Sequence, residues 1–236
     1  ELITNSAKLQ QNINAVTKDK MCIDQYKSDK FSIIALFLKT MGYITETGNI
    51  TDYGIMCTLI NECNPFILTE IFTGDILQSL NPKQIICFLS ILTDEITKTN
   101  KFDQELNSIP IDSVIKDAII YIESRIYEYQ DTESQLGIFP EPGYWNISYD
   151  YLEISYLWAS MDLEREDHSK ILSHLDLMEE FEGSFIKNML KINNIVGNLM
   201  SLCELTQQFD SMPVLQEIES LILKGMVNVN SIHVQS

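Results

Sequence analysis

Apolar positions recur at three- and four-residue steps along most of this chain, the spacing that places them on one side of a helix. From Glu1 to Tyr26 the pattern is polar with scattered aliphatics and reads as a marginal helix or connecting segment. It sharpens at Phe31, where Ile33, Ile34, Phe37, Leu38 and Met41 form a stripe that Gly42 is placed to end. Asp52 is read as the cap of a short helix with Ile55, Met56, Leu59 and Ile60. Asn64-Pro65 then breaks the chain before another short helix carrying Phe66, Leu68, Ile71 and Phe72. Asn81-Pro82 is a start signal, asparagine as cap and proline in the first turn. Behind it, Ile85 to Ile96 is apolar nearly all round, which predicts a central helix. Lys98 to Pro110 is polar and reads as a loop. A clean amphipathic pattern predicts a helix from Asp112 to Gln130, and Gly137, Pro140, Pro142 and Gly143 mark an irregular crossing. Phe139, Tyr144 and Trp145 there suit either packing onto the bundle or a peptide groove. Tyr149 to Ala159 reads as a helix, as does a final stretch bearing Leu215, Ile218, Ile222 and Met226, while Val227 to Ser236 alternates and reads as extended.

The longest pattern lies between Asp176 and Cys203 and predicts one helix with two faces. Leu177, Phe181, Phe185, Met189, Ile192, Val196, Leu199 and Cys203 form the apolar face. Ser184, Lys187, Lys191, Asn194 and Asn198 recur at the same steps and form a polar stripe without an acid. Asp176 with Glu179 three residues later suggests a capping box, and Glu179, Glu180 and Glu182 suit the positive end of the helix dipole. Periodicity alone leaves two readings of the stripe open, a solvated face or a face toward nucleic acid. The fold class that follows is all-α, a bundle of about eight to ten helices with short loops.

Charge narrows the choice of partners. The 236 residues carry 34 acids against 16 Lys plus Arg, a formal net charge of -18, which argues against a free-standing nucleic-acid binder. Any grip on RNA needs help from other parts of a larger polypeptide. The chain opens on Glu1 rather than methionine, and the expectation is a piece of something longer. Cys22, Cys57, Cys63, Cys87 and Cys203 are scattered without a CxxC pair and read as buried free thiols of a reducing compartment. No run approaches the roughly 20 apolar residues that cross a bilayer, so a soluble, intracellular protein without membrane contact is expected.

The chemistry of catalysis finds no motif. His168, His174 and His233 lack metal-binding spacing, no Gly-rich phosphate loop occurs, and no GxSxG elbow or local thiol-enzyme signature is present. No catalytic residue, metal or cofactor is expected of this chain itself.

A resemblance supplies the function. LKTMGYITETGNI, from Leu38 to Ile50, resembles the hydrophobic-Gly-Tyr-Ile, turn, Gly-x-aliphatic opening of the DSHCT domain, the C-terminal helical domain of superkiller-type and exosome-associated DExH-box RNA helicases. Phe66-Ile67-Leu68-Thr69-Glu70, Gly74, Leu80-Asn81-Pro82 and the helix from Gln84 are similar to the motifs that follow in that family. So are Tyr151 to Ala159, YLEISYLWA, and Phe181 to Lys187, FEGSFIK. Positions 31–236 are identified as a DSHCT-like bundle, preceded at 1–30 by a linker or a helix from an upstream domain.

The resemblance implies a bundle packed on upstream RecA-like and winged-helix domains of one polypeptide, a 3′–5′ RNA helicase whose RecA-like domains hold ATP and Mg²⁺. It also implies exosome-type RNA decay machinery as a partner. The helix after Phe181-Glu182-Gly183-Ser184 matches the family's ratchet helix, which lies along the RNA single strand. Lys191 and Asn194 are then the leading RNA-contact candidates, with Lys187, Ser184 and Asn198 beside them. Lysine stands where the family has arginine, which keeps a point charge for phosphate and loses the planar fork. Met161, Asp162 and Glu164 replace the family's glycine and phenylalanine after Trp158-Ala159, so the turn before that helix is expected to be rebuilt. The competing reading is an acidic protein-interaction scaffold with no nucleic-acid contact.

Overall fold

A computed structural model describes residues 2–93, 105–162 and 169–228. Among these, the α-helices of two turns or more are α1 (Leu2–Thr40), α2 (Asp52–Leu59), α3 (Pro65–Thr73), α4 (Pro82–Leu89), α5 (Ser113–Leu136), α6 (Leu152–Ser160), α7 (Ser169–Leu177), α8 (Glu182–Thr206) and α9 (Met212–Ile222). Short 3-10 turns at Ile76–Ser79, Ser90–Leu92 and Leu106–Ser108 join them. No strand occurs among the described residues beyond one isolated bridge between Ile44 and Ile50. The fold is the all-α bundle that the periodicity predicts.

The core is built around α4. Ile85, Ile86, Cys87, Phe88 and Leu89 are fully buried on successive positions, so this helix has no solvent face. It is covered by α5, α6, α8 and α9. Its start follows the predicted chemistry: Asn81 accepts the N–H groups of Lys83 and Gln84, Gln84 accepts the N–H of Asn81, and Pro82 opens the first turn. The helix stops at Leu89 and tightens into the 3-10 turn rather than running to Ile96, which lies outside the described residues. At α2 the cap is Thr51, whose hydroxyl accepts the Gly54 N–H, and Asp52 sits in the first turn instead.

A second packing centre holds α1, α3 and α5 together. Phe37, Tyr43, Phe66, Tyr129 and Trp145 form a cluster of edge-on and tilted rings, with Tyr129 and Trp145 stacked 5.0 Å apart. Buried hydroxyls need partners, and here they form a relay. Tyr129 donates to Glu70 Oε1 at 2.6 Å, which leaves its oxygen to accept from Tyr43 at 2.5 Å. Arg125 closes the arrangement by donating Nε and Nη2 to the two oxygens of Glu70 at 2.9 and 3.1 Å. Burial pushes both tyrosines well above the ordinary phenol range, and the Glu70 hydrogen bond holds Arg125 protonated.

Two expectations fail locally. The crossing after α5 buries Trp145, whose indole N–H donates to Glu133 at 2.7 Å, and half-buries Tyr144, but Phe139 is 90% exposed and packs on nothing. The thiols are not uniformly buried either. Cys87 and Cys203 are, Cys57 and Cys63 are half-buried, and Cys22 is exposed on α1. That helix runs unbroken across Lys30 and Phe31 and meets α5 only near its C-terminal end, so Val16, Met21, Ile23, Tyr26 and Phe31 remain in solvent. The tail beyond Asn228, like the acids Glu164, Glu166 and Asp167, lies outside the described residues; Val227 itself is buried in a helical turn rather than extended.

Candidate nucleic-acid interface

The predicted helix from Asp176 to Cys203 is two helices. α7 ends at Leu177, and the chain turns through Glu179, a non-glycine residue at positive φ, 53°. The N–H of Glu180 bonds Leu175 O at 3.0 Å and that of Glu179 bonds Asp176 O at 3.2 Å, the paired reverse bonds that satisfy the last carbonyls of a helix. Asp176 therefore lies inside α7, and α8 starts at Phe181 as N-cap, without a side-chain cap bond. The corner also moves two members of the expected apolar face outward, leaving Leu177 and Phe181 about four-fifths exposed at 80% and 81%. From Phe185 onward the face is as expected: Phe185, Met189, Ile192, Val196, Leu199 and Cys203 are all buried.

α8 packs against α2 in opposite chain direction, since Asn61 beyond the end of α2 meets Asn198 while Asp52 and Tyr53 at its start share a groove with Leu205 and Thr206. This packing divides the predicted stripe. Asn198 is half-buried; its side-chain oxygen accepts the N–H groups of Asn61 and Glu62 at 3.3 and 3.4 Å, and its amide donates to Asn61 Oδ1. Lys191 is half-buried and donates Nζ to Thr93 O at 3.2 Å. Its charge also draws down the thiol of half-buried Cys63, which desolvation nonetheless pushes up to about 12. Ser184 is half-buried at the first turn.

Lys187 and Asn194 are exposed. Asn194 reaches Glu62 Oε2 at 3.4 Å, and Lys187 forms no ion pair among the described residues. The most open line along α8 is Gly183, Lys187, Asn194, Gly197 and Ser201, rotated by about one position from the predicted stripe and passing over half-buried Leu190. A Cβ built on Gly183 or Gly197 would meet nothing, so the two glycines leave a shallow, open strip beside the lysine. Glycine lets another backbone approach closely. Gly183, Gly197 and Ser201 were missed because small residues carry no hydrophobic or charge signal.

The electrostatic contrast along the helix is sharp. From Gly183 to Cys203 there is no acid, in a chain with 34 of them. The open line therefore carries one exposed cation, Lys187, and one exposed amide, Asn194, which donates to Glu62. Among the described residues no group of three or more His, Cys, Asp or Glu is placed to hold a metal ion, and no helix is long and apolar enough to cross a membrane. His168 and His233 lie outside the described residues.

No curated protein matches the chain. The model of the DSHCT (NUC185) domain, a family associated with DExH-box helicases, matches residues 47–229 and so takes in α2 through α9 with the whole of the α8 surface. The chain belongs to the DSHCT domain family.

Proposed function

We propose that this chain is the C-terminal helical bundle of an ATP-dependent, 3′–5′ DExH-box RNA helicase, and that the open line of α8 forms one wall of the path taken by the RNA single strand. The observation that carries the reading is the acid-free run from Gly183 to Cys203, with Lys187, Asn194 and the two glycines outermost, in a chain of net charge -18. A helix run without carboxylates of its own, where the Glu62 carboxylate of the neighbouring loop hydrogen-bonds only Asn194 among the described residues, is more compatible with phosphate than the rest of so acidic a chain. Lys187 supplies a phosphate contact, Asn194 and Ser201 supply hydrogen bonds, and Gly183 and Gly197 permit close approach. Lys191, Asn198 and Ser184 support this wall from its margin, Lys191 and Asn198 by their bonds to Thr93 and to the α2–α3 loop.

In this reading ATP and Mg²⁺ belong to RecA-like domains of the same polypeptide, a winged-helix domain completes the channel, and RNA decay machinery of the exosome type is the downstream partner. The bundle guides the strand and leaves hydrolysis to those domains. The test uses the whole helicase polypeptide. Lys187→Ala lowers the slope of log RNA affinity against log salt by about 1, and Lys187→Glu with Asn194→Ala abolishes most unwinding while the thermal midpoint falls by no more than the loss of the exposed Asn194–Glu62 bond. Unaltered unwinding and RNA crosslinking in the double variant overturn the assignment.

A further inference from the structure

The opposite end of α8 has the reverse electrostatic character. Its last turn, the start of α2 and the end of α3 enclose a groove of about 600 Å³ lined by Asp52, Tyr53, Ile55, Met56, Leu205 and Gln208, among others. A second depression, sharing Phe72, Asp75 and Gln208 with the first, extends it to Asp210. No lysine or arginine occurs among the lining residues of either. Asp52, Asp75 and Asp210 form no ion pair among the described residues; Asp75 is held by Gln78, whose amide donates to Oδ1 at 2.8 Å. α3 and α8 end here while α2 and α9 begin here, so the helix ends offset one another and the negative potential is that of the three carboxylates. Between the acids, Tyr53, Ile55 and Leu205 hold large apolar surface in solvent at 45%, 36% and 44% exposure.

We propose that this groove docks a protein partner through a short segment that alternates cationic and aliphatic side chains. The cations face Asp52, Asp75 and Asp210, and the aliphatic groups rest on Tyr53, Ile55 and Leu205. Charge complementarity selects this occupant: three carboxylates with no cation in the lining repel a phosphate backbone, so the groove is not a continuation of an RNA path, and bare apolar surface between the acids favours a mixed segment over a purely basic one. The two non-glycine residues in left-handed geometry that border the groove, Asp75 (φ 56°) and Gln207 (φ 57°), fix the turns that form its ends. The inference stands independently of the RNA reading, since it uses none of the same side chains.

The test is a titration of the isotope-labelled 236-residue chain with a synthetic peptide of alternating arginine and leucine, followed by nuclear magnetic resonance. The expected result is saturable shifts confined to Tyr53, Thr73, Asp75, Leu205 and Gln208, weakened about tenfold both by Asp75→Asn with Asp210→Asn and by Leu205→Ser. Asparagine tolerates the left-handed backbone of Asp75, so the first variant keeps the fold. Shifts scattered over the acidic surface, equal binding of an all-arginine peptide, insensitivity to both variants, or saturable binding of an RNA oligonucleotide at these residues would each overturn the proposal.

Discussion

The side-chain oxygen of Asn198 accepts the backbone N–H of Asn61 at 3.3 Å while its amide nitrogen donates to the Asn61 side-chain oxygen. This reciprocal pair fastens the loop between α2 and α3 to the middle of α8, and Asn198 serves Glu62 N–H as well. Asn198→Ala strips an acceptor from two backbone donors and is expected to cost about 1–2 kcal/mol, seen as a lower urea midpoint at unchanged slope. Asn198→Asp keeps an acceptor but opposes a carboxylate to Asn61 Oδ1 in the neighbourhood of Glu62, so it also lowers the midpoint. Asn198→Ala leaves the salt slope of RNA binding by the whole polypeptide unaltered, whereas Lys187→Ala alters that slope and leaves the midpoint in place.

The corner between α7 and α8 depends on a residue that dislikes its backbone. Left-handed geometry costs a non-glycine residue roughly 1–2 kcal/mol, and a β-branched side chain suffers most. Glu179→Val is therefore expected to destabilise the chain by about 1 kcal/mol, and Glu179→Gly to be neutral or stabilising. A continuous helix through this position would reverse the order, because glycine is the poorer helix former. Paired thermal melts of the two variants give the sign.

Glu70 joins α3 to α5 through Arg125 and terminates the tyrosine relay. Removing it leaves a buried phenol without its acceptor and Arg125 with only its ion pair to exposed Glu128. Glu70→Ala is expected to cost about 3 kcal/mol, in the range for breaking a buried pair by deleting one partner, with Arg125 discounted toward the lower end because it is partly in solvent. Tyr129→Phe removes one hydrogen bond from the same acceptor and costs less. Equilibrium denaturation of the two variants tests the order.

The bundle was legible because its helices carry uninterrupted apolar stripes and several of their ends carry dedicated residues. Gly42 and Gly137, both at positive φ, end α1 and α5 with paired reverse bonds, and Asn81 with Pro82 starts α4 as predicted. The stop after α7 uses the same bonding pattern but places a glutamate in the left-handed position, so no glycine or proline announces it, and the three-to-four spacing of Leu177, Phe181 and Phe185 runs straight across the break. The polar stripe was visible for the same reason as the helix, yet its division was not. Whether an asparagine at one step faces a strand of RNA or a neighbouring loop depends on where α2 lies, and that is a long-range fact: Asn61 and Asn198 are far apart in sequence. The open line was hidden because Gly183 and Gly197 contribute absence of bulk rather than any pattern.

One proton's share of the alkaline stability follows from the thiol beside the same seam, alongside Cys57, Cys87 and Cys203, whose thiols burial also raises. Desolvation raises Cys63 from 9.0 to about 12 in the folded chain, although Lys191 opposes the rise. Between those values the unfolded chain has released the proton and the folded chain still holds it. Stability contributed by the neutral buried thiol is fully present below pH 9 and is lost as pH rises toward 12, with a slope of at most about 1.4 kcal/mol per pH unit for one proton. Burial raises Tyr144 from 10.0 to about 12 as well, so a second decline begins one unit higher. Cys63→Ala is expected to flatten the fall between pH 9 and 10 by about one proton and to leave the later tyrosine component in place. Lys191→Ala removes the charge that draws the thiol down, so it extends the window of loss upward while also giving up the bond to Thr93 O. Urea unfolding across this pH range in the parent chain and the two variants separates these outcomes, and an identical alkaline slope in Cys63→Ala would place the thiol in water rather than against Lys191.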